Sequence, residues 1–205
     1  MAHALNDLTD QIRACRICVD QPDGTPLGHD PRPVFQVSAT ARIVIAGQAP
    51  GTRVHESGRP FTDPSGDRLR DWMGIDEETF YDTRLIAIVP MGFCFPGLDA
   101  KGGDLPPRRE CAPKWRGQLI GRLKNAELLL AVGMYAQKWH LRELNKKTLS
   151  ETVRGWRQCW SDTAGPKVIP MPHPSWRNNA WLKKNPWFDA ELVPHLRREV
   201  ARLTR

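Results

Sequence analysis

Arg42-Ile43-Val44-Ile45-Ala46, followed at once by Gly47-Gln48-Ala49-Pro50-Gly51, decides how this chain folds. The first five residues are a β-branched run with apolar side chains on both faces. That pattern suits a strand covered on both sides in a parallel sheet. The two glycines frame the turn that ends it, and a turn free of Cβ atoms lets backbone come close to a ligand. Three further runs have the same character: Leu85-Ile86-Ala87-Ile88-Val89, Leu128-Leu129-Leu130-Ala131-Val132 and Lys167-Val168-Ile169-Pro170-Met171. Helical patterns fall at 3–15, 65–73 (with Ser65 as N-cap), 108–123, 134–143 and 190–203, while 22–33 is rich in Pro, Gly and Asp and reads as irregular. Strands alternating with helices predict a three-layer α/β/α sandwich around a central four-stranded, mostly parallel sheet. Ligands in such folds bind beyond the carboxyl ends of the strands. Function is therefore expected in the loops after the first, second and fourth strands.

The 205 residues suit one domain over 1–205, with no internal repeat or linker. Forty per cent hydrophobic and 26% charged residues describe a soluble globular protein. No apolar stretch approaches the ~20 residues that span a bilayer, so no membrane partner is expected. Met1 to Asp7 shows neither a basic n-region nor a long apolar region, which predicts a cytoplasmic protein with reduced thiols. The net charge of +7 is compatible with a polyanionic partner. Eight tryptophans suit either a core or stacking platforms.

Cys15 and Cys18 form a C-x-x-C pair, and Cys94 and Cys111 flank a loop rich in Pro and Gly. In a reducing compartment this spacing is metal-ligand arithmetic. Four thiolates suit an iron–sulfur cluster, and zinc fits the same ligands. Either would tie the N-terminal helix to the Met91–Pro107 loop. Cys159 is left over and reads as a core cysteine. Arg108 and Arg109 read as a solvated helix start.

Gly47-Gln48-Ala49-Pro50-Gly51 is followed by Gly58-Arg59-Pro60-Phe61, and later by Val153-Arg154-Gly155-Trp156 and Pro172-His173-Pro174-Ser175. With the four cysteines, this order of motifs resembles the uracil-DNA glycosylase superfamily, and within it the iron–sulfur branch called family 4. The resemblance runs from Cys15 to about Asn178. It implies a 4Fe-4S cluster on Cys15, Cys18, Cys94 and Cys111. It implies that Phe61 stacks on a flipped base, that the backbone around Gln48 and Ala49 contacts that base, and that His173 stabilises the departing base anion. Gly51 and Ser175 would meet phosphates, and Trp176 or Trp181 would fill the gap the base leaves. Arg177, Lys183 and Lys184 would pair with phosphates.

Two positions depart from the family pattern. The family carries acidic residues three and four places after the second glycine of its first motif, where this chain has Val54 and His55. His55 is then the expected base, ahead of Glu56, and Gln48 would orient a water without ionising. The family asparagine that reads a pyrimidine edge has no counterpart in Ile88 to Cys94. The resemblance implies a monofunctional DNA glycosylase, with no lysine in the motifs to attack the sugar, acting on uracil or a related deaminated base and leaving an abasic site. It implies DNA as partner and a monomer. The alternatives are an iron–sulfur DNA-binding protein with weak or no cleavage, and a zinc protein with no DNA role.

Overall fold

The computed structural model describes residues 2–163 and 165–205. Its centre is a sheet of four strands, β1 (Ile43–Ala46), β2 (Ile86–Ile88), β3 (Leu128–Val132) and β4 (Lys167–Met171), in the order β2-β1-β3-β4. All three pairings are parallel, with Ile45 beside Ile88 and Leu130, and Leu130 beside Ile169. The chain runs from β1 to one neighbour, then crosses to the other side for β3. The strand order thus reverses between β1 and β3, which opens a crevice beyond their carboxyl ends.

Among the described residues eleven α-helices surround the sheet: α1 (Ala2–Arg13), α2 (Ile17–Asp20), α3 (Thr52–Ser57), α4 (Pro64–Met73), α5 (Glu77–Tyr81), α6 (Cys111–Ile120), α7 (Met134–Leu141), α8 (Leu149–Arg154), α9 (Trp156–Asp162), α10 (Asn179–Lys184) and α11 (Val193–Leu203). Successive strand residues point to opposite faces, and both faces are covered. Val44, Ala46, Leu129 and Ala131 pack with Leu5, Leu8 and Ile12 of α1 and with Trp115 and Leu119 of α6. Ile43, Ile45, Leu128 and Leu130 pack with Leu69, Trp72 and Met73 of α4 and with Leu196, Val200 and Leu203 of α11. This is why the strands read as unbroken apolar runs, and it forms the expected three layers.

Four local readings change. Asp63, not Ser65, caps α4: it accepts the Ser65 amide at 3.1 Å, and Pro64 takes the first helical position, where its missing N–H costs nothing. The helix expected from 108 starts at Cys111. Arg108 is not solvated, because it donates to Glu110 Oε1 (2.7 Å) and to the Thr25 carbonyl (2.8 Å), tying the cysteine loop to the segment after α2; Arg109 is exposed. A π-helical turn, Phe188–Leu192, precedes α11. Among the described residues no helix is long and apolar enough to cross a membrane.

Candidate active site

Two connected spaces lie at the carboxyl end of the sheet. The inner one, about 70 Å³, is lined by Gly47 to Gly51, Val54, Phe61, Asp63, Ser65, Ile88, Pro90, Asp104 and His173, among others. The outer cleft, about 540 Å³, is lined by Arg53, Arg68, Ser175, Trp176, Arg177 and Asn178 and shares residues with the inner one. The turn after β1 is fastened to the turn after β2: the Met91 amide donates to the Gly47 carbonyl and the Gly92 amide to the Gln48 carbonyl, each at 2.9 Å.

Phe61 stands on the inner wall in a left-handed conformation, φ +53°. A bulky residue adopts that backbone only when its surroundings over-determine it. Here they do. The Tyr81 hydroxyl donates to the carbonyls of Pro60 and Phe61, at 2.7 and 3.1 Å. The Phe61 carbonyl also presses on Gly66 of α4, where an added Cβ would lie 1.9 Å from its oxygen. The ring meets Phe80 edge-on and reaches to within 3.5 Å of where a Cβ on Gly47 would sit.

His173 follows β4 and faces the same cavity. The Ser175 amide donates to its Nδ1 at 3.2 Å, so Nδ1 is the acceptor and the hydrogen of the neutral ring sits on Nε2. Burial lowers its pKa below the ordinary histidine value, opposed by Asp63 and Asp104. A neutral imidazole with its second nitrogen committed is a preset hydrogen-bond donor. The loop around it is braced: Asn178 donates to the His173 carbonyl at 2.7 Å, and Arg68 of α4 donates to the Ser175 carbonyl at 3.1 Å.

Beyond His173 the cleft is cationic and aromatic. Trp176 is 73% exposed and Arg177 lies over its ring at 5.9 Å. Trp181 does not share that freedom. Its indole donates to Ser150 at 2.7 Å and packs on Trp187 and Phe188, so it belongs to the protein interior rather than to a wedge. Lys183 and Lys184 are exposed on α10, outside the lining of the cleft.

His55 is in neither space. Residue 55 sits ~100° round α3 from Val54, and it is Val54 that faces the cavity. Arg32 clamps the C-terminal carbonyls of α3, donating to His55 O (2.6 Å) and Glu56 O (2.9 Å), and the His55 ring lies against His29 and Phe95. Its Nδ1 is buried with no partner among the described residues, and burial lowers its pKa. The expectation that His55 guides a water is therefore corrected, and Glu56 is exposed away from the site as well. Gln48 and Ala49, in contrast, line both spaces.

Two carboxylates stand where the sequence pointed to none, Asp63 and Asp104. A sequence signal for Asp63 exists, since Asp-Pro ahead of an apolar periodic run marks a helix start. Asp104 carries no such signal. It reaches the site only because its loop folds back over Gly51.

The four cysteines gather on one side of the molecule. Cys18 packs with Cys94 and Leu27, and the two thiols share a hydrogen bond that favours the thiolate at Cys18, whose pKa falls to about 7. Cys94 is pushed up by that same bond and by burial, and burial pushes Cys111 up to about 12. Cys15 accepts the Trp115 indole N–H at 3.1 Å and Cys111 accepts the Phe93 amide at 3.4 Å. Among the described residues no three or more Cys, His, Asp or Glu side chains are gathered as ligands of a single metal ion. Cys159 is buried in the core, as expected.

The family model described as Uracil DNA glycosylase superfamily matches residues 34–197. Cys15 and Cys18 fall outside that match. It takes in the turn after β1, the loop bearing Cys94 and Cys111 and the loop of His173, and this chain belongs to the uracil-DNA glycosylase superfamily.

Proposed function

We propose that this chain hydrolyses the N-glycosidic bond of uracil or a related deaminated base in DNA and leaves an abasic site. The observation that carries this is the convergence of the Phe61 ring and the His173 imidazole on one small cavity that opens into a cationic cleft. An enzyme acting on a base must take it out of the stack and hold it by its face and its edge. Phe61 offers the face. His173 Nε2–H offers a donor where negative charge grows on the departing base, and such a donor accelerates cleavage because it meets more charge in the transition state than in the substrate.

The wall contributed by β2 and its loop is Ile88 and Pro90, with no amide side chain to read a pyrimidine edge. Recognition then falls to backbone around Gln48 and Ala49 and to the side chains of Gln48 and Ser65. That favours tolerance of more than one deaminated base. Oligonucleotides carrying uracil, hypoxanthine or xanthine, treated with the protein and then with alkali to cut abasic sites, test the function. Strand cuts on at least one of them are expected. Salt-dependent DNA binding with no cut on any would favour the second reading, a DNA-binding protein on this scaffold, for which Val54 at the place of a family acid speaks.

Cys15, Cys18, Cys94 and Cys111 would hold a 4Fe-4S cluster, with the N–H···S bonds from Trp115 and Phe93 supporting the sulfurs. Zinc fits the same four ligands and is the competing occupant. The group would hold the N-terminal helices to the loop of β2 rather than take part in cleavage. Visible absorption of the purified protein, with iron and zinc counted per chain, decides between the two. The protein would work as a monomer.

A further inference from the structure

We propose that Asp104, from the loop between β2 and α6, is the carboxylate that takes a proton from the attacking water. This rests on the chain being a glycosylase.

Gln48, Ala49, Asp63, Ser65, Asp104 and His173 line both the inner cavity and the outer cleft. They therefore form the neck between the two. A base seated in the inner space with its sugar and phosphates in the cleft places the scissile bond at that neck. Two carboxylates stand there, and they are not equivalent. Asp63 is engaged as the cap of α4, accepting both the amide and the hydroxyl of Ser65. Asp104 is an exposed residue whose carboxylate is partly desolvated where it meets Gly51, and it receives no side-chain hydrogen bond among the described residues. Its lone pairs are free for a water.

The loop holds Asp104 in place. Leu98 and Asp104 bridge as antiparallel neighbours, and the Leu105 amide donates to the Gly97 carbonyl at 3.0 Å. The tip of this hairpin is closed by Asp99, whose Oδ1 accepts the Lys101 and Gly103 amides, each at 2.8 Å. The Asp104 carboxylate then abuts Gly51, lying 3.3 Å from where a Cβ on that glycine would sit. The second glycine of the first motif thus leaves room for an acid delivered from another loop, beside the place where α3 presents Val54 instead.

In the step itself the C1′–N bond breaks with its electron pair going to the base. Water oxygen bonds to C1′, and the water proton passes to Asp104 and then to solvent. The base anion, held at His173 Nε2–H, takes a proton from solvent. The titratable and charged groups that face Asp104 are Asp63, Asp99, His173 and Arg177. Burial raises its pKa above the usual aspartate value, so the working carboxylate is lost earlier on acidification than an open aspartate would be.

The test is single-turnover cleavage of whichever oligonucleotide the wild-type chain cuts. Asp104→Asn should slow the step by roughly a hundredfold or more while DNA affinity and melting temperature stay as in wild type. The acid limb of the wild-type pH–rate profile should vanish in the variant. Asp104→Ala with added formate should regain part of the lost rate, which a structural role would not allow. A wild type that cuts while Asp104→Asn cuts equally fast with an unchanged acid limb overturns the role of Asp104 alone. So does failure of formate on a folded Asp104→Ala. A wild type that cuts nothing overturns the glycosylase function, and this role with it.

Discussion

His173 shows how much a single hydrogen bond settles. With Nδ1 accepting from Ser175, a ring that lines the cavity keeps Nε2 as its donor without any need for protonation. Replacing it by alanine should cost about 3 kcal/mol of transition-state stabilisation, a hundredfold to thousandfold loss of rate with DNA binding kept, as single-turnover assays would read. Trp176 and Arg177 make separable contributions. Trp176→Ala should weaken DNA binding about tenfold with the salt dependence unaltered, whereas Arg177→Ala should lower the slope of log affinity against log salt by about one; titrations at several salt concentrations distinguish them. Their place in the cleft was not hidden in the sequence, because Pro172 to Arg177 is contiguous and its motif is read directly. His55 was misplaced for a plain geometric reason. In a helix as short as α3 one residue more or less turns a side chain by ~100°, and the helix is held with Val54 inward by its packing and by the clamp from Arg32, distant in sequence.

Among the elements, α4 is the one that carries the site. It begins at Asp63 beside the cavity, offers Arg68 to the Ser175 carbonyl and brings Gly66 against the carbonyl of Phe61. Gly66→Ala would force backbone apart, because the new Cβ meets oxygen rather than a movable side chain. A loss of about 3 kcal/mol, or about 10 °C in melting temperature, is expected by calorimetry, together with weakened base binding as Phe61 shifts. α6 anchors the other side. Arg116, wholly buried, donates to the carbonyls of Val89 and Pro90 at 2.8 Å each and to His140 Nε2, fixing the turn after β2 to the helix that begins at Cys111. A guanidinium in this place keeps its charge, so His140 stays neutral as the acceptor.

For the whole molecule that buried pair has a consequence in acid. Burial and then Arg116 lower the His140 pKa from 6.5 to about 2. The unfolded chain therefore binds a proton that the folded chain refuses, and stability falls as pH drops below 6.5. The slope from this one group approaches about 1.4 kcal/mol per pH unit. Urea midpoints should decline between about pH 7 and pH 5, and His140→Gln, which keeps an acceptor for Arg116, should flatten the decline.

The four strands, the parallel sheet and the loops that matter were legible in the chain, since apolar runs of this length fit nowhere but between two covering layers. The first-motif turn, Phe61 and His173 were legible for the same reason: short contiguous stretches whose local backbone sets their chemistry. Asp104 was not, nor was the exchange of Val54 for His55. Both depend on contacts between segments far apart in sequence, where a hairpin closed by Asp99 and a clamp from Arg32 choose the side chains that meet. No local pattern encodes such a choice, because its free energy arises only when the separate loops are packed against one another.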